Sequence, residues 1–144
     1  MLELFEKIYT ANEKLTEDEL HKLYIWFETN HFPSSYLPST YLSLMRESNG
    51  GDFIYGEREY QFFSIDEVME YYEAYMFSEF MPFAYPFAMD GCGNFFLFNL
   101  RAMDDCVYTA SAGNMGWEKD ECFKIANNFL ECLQQDRLWD EYID

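Results

Sequence analysis

The chain has 144 residues, 49% of them hydrophobic, enough for one domain with its own core and no need of a disulfide or metal staple. Acids outnumber bases 27 to 9, for a net charge of −18, a surface that repels phosphate backbones and excludes direct nucleic-acid binding. The same field attracts a basic protein partner and speeds its encounter, although acidity also serves solubility alone.

The chain reads from its start as follows. Leu4, Phe5 and Ile8 suggest a short opening helix. Thr16 followed by Glu19 forms a capping-box pattern ahead of Leu20, Leu23, Tyr24 and Phe27 at helical spacing. Two prolines in "HFPSSYLP" break the chain, and Pro38 opens a second helix with Leu37, Tyr41, Leu44 and Met45 as its apolar stripe. "SNGG" ends that helix, where Asn49 or Gly50 can take the left-handed conformation and Gly51 follows. "DFIYGEREYQFF" reads as two short strands about a turn at residues 56–59. Ser64 and Glu67 make another capping box, with Ile65, Val68, Met69, Tyr72 and Met76 as the helical face behind it. Phe83, Tyr85 and Phe87 alternate with small residues as a strand would, and "GNFFLFNL" is apolar enough for a central strand covered on both faces. "DCVYTA" is a further strand, and Cys122, Ile125, Ala126, Phe129 and Leu133 form the face of a closing helix. This order predicts an α+β fold, a mostly antiparallel central sheet with helices packed around it. Neither an apolar run of about 18 residues nor a basic segment leading into an apolar one is present, so a cytoplasmic protein with no membrane partner is expected.

Catalytic signatures are missing. The two histidines, His21 and His31, have the setting of surface side chains. There is no G-x-S-x-G elbow and no phosphate-binding G-x-x-x-x-G-K-[ST] loop. The four cysteines show no C-x-x-C spacing and read as reduced thiols, commonly small buried hydrophobes. No enzyme, cofactor or metal is expected. "FAMDGCGNFFLF" raises the one question of a site, with Asp90, Cys92 and Asn94 grouped about two glycines. The alternative is a hairpin corner at Asp90-Gly91, with Gly93 allowing a bend; it explains every residue but Cys92 and needs no ligand.

"YLPSTYLSLMRESNGGDF" resembles the proline-started helix ending in Asn-Gly-Gly of the SUKH superfamily, which includes fungal cell-wall-assembly regulators and bacterial immunity proteins. "YQFFSIDEV" is similar to that family's strand running into a helix, and "PFAMDGCGNFFLFNL" to its core hairpin. "DDCVYTA" and "KIANNFLECL" look like its following strand and closing helix, so the likeness covers roughly residues 36–133. It departs in a strongly aromatic hairpin and a longer N-terminal region. The resemblance implies one SUKH-like domain over residues 1–144, with a helical N-terminal region over residues 1–35, a core over 36–134 and an acidic tail over 135–144. It implies a non-enzymatic binding domain, an immunity protein that neutralises a polymorphic toxin. The partner suited to this charge is a basic nuclease domain. The alternative is a regulatory adaptor of the same fold with no toxin partner. Pro38, Asn49, Gly50, Gly51, Asp90, Gly91 and Gly93 fall in the family's motif positions and read as structural. The resemblance supplies no binding residue. Acids and aromatics meet at turns and helix starts at Asp52, Glu57, Glu59, Asp104, Asp105, Trp117 and Glu118, the expected partner-binding residues. Core packing at the last helix is the other reading of Trp117.

Overall fold

One sheet organises the molecule. In the computed structural model, which describes residues 1–135, seven strands lie side by side in chain order and every neighbouring pair is antiparallel. They are β1 (Lys7–Ala11), β2 (Gly51–Tyr55), β3 (Arg58–Phe62), β4 (Ala84–Met89), β5 (Asn94–Asn99), β6 (Val107–Ser111) and β7 (Phe123–Ala126). Five helices interrupt this meander: α1 (Glu17–Thr29), α2 (Ser39–Glu47), α3 (Ile65–Ala74), α4 (Phe77–Phe80) and α5 (Phe129–Leu133). The expected α+β architecture, helices around an antiparallel sheet, is therefore the one observed.

The alternation of side chains along β5 sets the layers. Phe98 points to one face, where its ring meets Tyr41 of α2 at 5.3 Å and Phe129 of α5 at 5.9 Å. Phe95 points to the other, meeting Tyr71 and Phe77 of α3 and α4 at 6.3 and 5.2 Å. Phe95, Phe96, Leu97 and Phe98 are all buried. Each such aromatic contributes about 1.5–3 kcal/mol by leaving water, and tilted or edge-on pairs such as Tyr41–Tyr85 at 5.6 Å add to that. The buried Tyr41 and Tyr85 hydroxyls satisfy each other at 2.7 Å, and burial holds both phenols protonated, far above their ordinary pKa.

Both capping boxes form: the Thr16 and Ser64 hydroxyls accept from the Glu19 and Glu67 amides. The corner after α2 joins three separate segments. Asn49, almost fully buried, donates from Nδ2 to Glu19 Oε2 at 2.8 Å, and its Oδ1 accepts from the Ile65 amide at 3.0 Å. It thereby couples the start of α1 to the start of α3. Asn49 itself donates its amide to the Glu13 carbonyl at 2.8 Å. Gly50 and Gly51 take φ of +88° and +131°. A Cβ on Gly50 would stand 2.6 Å from the Ser64 nitrogen, and one on Gly51 would collide with the Thr10 carbonyl. The left-handed residue is thus Gly50, while Ser48 is extended.

On β3, Arg58 is only 2% exposed. Its Nη1 donates to Gln135 Oε1 at 2.7 Å and to the Tyr60 hydroxyl at 3.2 Å, tying the strand to the end of α5.

Three expectations change. The opening segment is not a helix beyond a single turn at Leu2–Leu4; Ile8 lies on β1, paired with Phe53. The helical spacing of Leu4, Phe5 and Ile8 is coincidental, and pairing with the edge of β2 decides the outcome. The closing helix is shorter than expected. Ile125 and Ala126 belong to β7, Cys122 precedes it, and Asn128 caps α5 by accepting from the Glu131 amide at 2.8 Å. Met76 leaves the apolar face of α3, adopting φ 56° beyond the helix with its side chain 49% exposed. The β4–β5 corner, by contrast, falls where the sequence places it: the chain turns through Gly91, Cys92 and Gly93 just past Asp90, and the bend expected at Gly93 carries a positive φ of +85°. Asp90 organises that corner: Oδ1 accepts from the amides of Cys92 and Asn94 at 2.8 and 3.0 Å. Cys92 itself is exposed. The expected acidic tail, 135–144, lies almost wholly outside the described residues.

Candidate partner-binding surface

The sequence-selected residues fall into two groups on different regions of the sheet. Asp52 and Glu59 stand on β2 and β3, with Glu57 in the turn between those strands. Asp104 and Asp105 precede β6, while Trp117 and Glu118 lie in the segment between β6 and β7. Strands β3, β4 and β5 stand between β2 and β6, a separation of about 19 Å at ordinary strand spacing. They do not form one site.

The second group is largely engaged within the fold. The Trp117 ring packs edge-on to Tyr108 at 6.1 Å, lies under the Arg101 guanidinium at 4.0 Å, and donates Nε1–H to the Pro82 carbonyl at 2.9 Å. Trp117 therefore pins its loop to the sheet, though not beside a helix. Asp105 Oδ1 accepts from the Tyr36 hydroxyl at 2.7 Å, and Asp104 Oδ1 accepts from the Cys106 amide at 3.0 Å. Burial, then the Asp104 charge, raises the pKa of the Cys106 thiol, which keeps it protonated and unreactive.

The first group is different. Antiparallel register pairs Asp52 with Gln61 and Ile54 with Glu59, so these side chains share the face opposite buried Phe53 and Tyr60. Helix α3 begins beside them and adds Glu67 and Tyr71. Asp52, Glu67 and Tyr71, together with Thr10 and Gln61, line a groove of about 240 Å³. Glu59 stands at its edge, within 3.4 Å of the Gln61 side-chain amide. Burial first, then Glu59 and Glu67, raises the pKa of Asp52 above the usual aspartate value. Of the ion pairs among the described residues, none involves Asp52, Glu59 or Glu67. A Lys or Arg head group entering this groove would relieve the mutual repulsion of these acids. At the far side of Glu59 lies the β4–β5 corner, since a Cβ on Gly91 would sit 3.2 Å from Glu59 Oε2.

Glu67 and Tyr71 are the partners that sequence reading missed. Glu67 registers there only as a capping residue. Tyr71 lies off the apolar stripe of α3, four residues on from Glu67, and that second stripe is the signal that finds it. Among the described residues no group of three or more His, Cys, Asp or Glu side chains is arranged to hold a metal, and no helix is long and apolar enough to cross a membrane.

An antiparallel meander with helices on both faces and an acidic groove open on one of them defines the α+β domain. The chain belongs to the SMI1 / KNR4 family (SUKH-1), whose sequence model matches residues 15–135. That family is generally one of non-enzymatic immunity and regulatory proteins. The match takes in α1, upstream of the likeness read from motifs alone, and leaves β1 outside it. No curated protein matches the chain.

Proposed function

We propose that this protein is an immunity protein: it binds a cognate toxin stoichiometrically and neutralises it without chemistry of its own. The partner is a basic nuclease domain. The observation that carries this reading is the groove of Asp52 and Glu67, edged by Glu59, whose carboxylates have no ion-pair partner among the described residues, in a chain of charge −18. A nuclease gathers Lys and Arg side chains to hold phosphates. An acidic surface steers itself to the same side chains and occupies them in place of the nucleic acid. SUKH-1 membership supports the reading, since immunity proteins are among the members.

Co-expression with the product of the adjacent gene tests this function. The expected result is rescue of growth together with co-purification of the two proteins. Loss of rescue is expected for the charge reversal Asp52→Lys with Glu59→Lys. If the neighbour is not toxic and purification from the native cell returns an acidic scaffold, the protein is a regulatory adaptor and the immunity reading fails.

A further inference from the structure

Beside the acidic groove lies a second cleft with an apolar wall of Tyr75, Phe80 and Met115. Tyr71, which lines the groove, stacks on Tyr75 at 5.8 Å, and Tyr75 lines this cleft of about 420 Å³ with Phe80, Met115, Asn114 and Glu121. The corner between β4 and β5 bridges the two on the other side: Gly91 lies by Glu59, and the Gly93 carbonyl accepts from the amide of Ala112, which also lines the cleft. The cleft is built rather than incidental. Tyr75 is braced edge-on by Phe95 at 5.0 Å, while Tyr75 and Phe80, which both line the cleft, remain 37% and 51% exposed. The chain passes from α3 to α4 through Met76 in a left-handed conformation, φ 56°. Glycine or asparagine would adopt that shape at less cost; this strained turn sets the course of the chain from Tyr75 to Phe80, the two residues of the α3–α4 stretch that line the cleft.

We propose that this cleft receives an apolar anchor, the size of Phe or Leu, from the same basic partner whose Lys or Arg side chains enter the acidic groove. The proposal rests on the protein-binding reading above and specifies its surface. Charge complementarity selects the occupant. Glu121 lines the cleft, and Glu73 on α3 and Glu79 on α4 are exposed, so a second copy of this chain, itself at −18, would be repelled. Glu67 and Tyr75 stand two helical turns apart, about 12 Å, which an extended partner segment spans in about four residues. The recognition element is therefore an apolar residue about four positions from a basic pair.

The test uses a synthetic peptide with Phe four residues from a Lys-Arg pair, titrated to millimolar concentration into the isotope-labelled protein and followed by NMR. Shifts are expected at Asp52 and Glu67 and also at Tyr75, Phe80 and Met115. A peptide with serine for its phenylalanine should keep the first set and lose the second; a peptide with glutamates for its basic pair should produce neither. Phe80→Ser, confirmed folded by its melt, should weaken the parent peptide at least tenfold and leave the serine peptide unchanged. If the parent and serine peptides give the same shifts, confined to the groove, the cleft proposal is overturned and the basic-partner reading stands. If no peptide shifts the groove, both fall.

Discussion

Asn49→Ala should destabilise the fold by about 2–4 kcal/mol. The magnitude follows from two bonds. The Ile65 amide, donating to Asn49 Oδ1 at 3.0 Å, loses its acceptor at the buried first turn of α3, which costs about 1–3 kcal/mol. Glu19 loses the Nδ2 donor at 2.8 Å, a part-buried bond contributing about 1 kcal/mol. The backbone bonds of residue 49 survive the substitution. For a chain of this size the loss corresponds to a fall in Tm of about 5–15 °C, read by differential scanning calorimetry and by the urea midpoint. Asn49→Asp separates the two bonds. It retains the acceptor for Ile65 and sets a carboxylate against Glu19, so one of the two acids gains a raised folded-state pKa. Such a group favours folding only while protonated, so Asn49→Asp should be destabilised at neutral pH and recover as pH falls towards 4. The alanine variant should show no such recovery. A melt of Asn49→Ala within about 2 °C of the parent, or a pH-independent Asn49→Asp, would refute the claim that this side chain joins α1 to α3.

Three further outcomes are expected. Gly51→Ala should destabilise by more than Gly93→Val in thermal melts: the first meets the Thr10 carbonyl and holds φ +131°, whereas Gly93 at φ +85° has nothing within 4 Å of an added Cβ and suffers backbone strain alone, about 1–2 kcal/mol; the reverse order would count against this assignment. Asp52→Asn should raise Tm at neutral pH, because a carboxyl with a raised folded-state pKa supports the fold below its unfolded pKa and loses that contribution as pH rises through the folded value. The gain should vanish below about pH 4, and a variant less stable at neutral pH would sink the reading. Association with the partner should slow steeply between about 50 and 500 mM salt, as the Debye length falls from roughly 14 to 4 Å, whereas a rate indifferent to salt excludes electrostatic steering.

Local chemistry made much of the fold legible. The capping boxes at Thr16–Glu19 and Ser64–Glu67 involve neighbours in sequence, and both form as spaced. The strand in "GNFFLFNL" is legible because its apolar run has no polar face to expose. β1 is not: all its side chains are exposed, and pairing with β2, distant in sequence, creates it. β7 imitates a helix because Cys122, Ile125 and Ala126 happen to fall at helical spacing; the Asn128 cap with Glu131 three residues on marks the true helix start. At the surface, Asp52 and Glu59 were legible as acids near a turn. Their partnership with Glu67 and Tyr71 depends on how α3 lies across the sheet edge, which no local pattern encodes. Trp117, Asp104 and Asp105 share the same local signature, yet the fold engages them internally.

We propose that this acidic surface silences a basic nuclease by occupying its nucleic-acid site. The most direct measurement titrates this protein into the purified product of the adjacent gene and scores cleavage of nucleic acid. Activity should fall linearly to zero at one equivalent of this protein, with the endpoint displaced by Asp52→Lys with Glu59→Lys. Cleavage that persists at saturating protein, or inhibition indifferent to that charge reversal, would contradict the account.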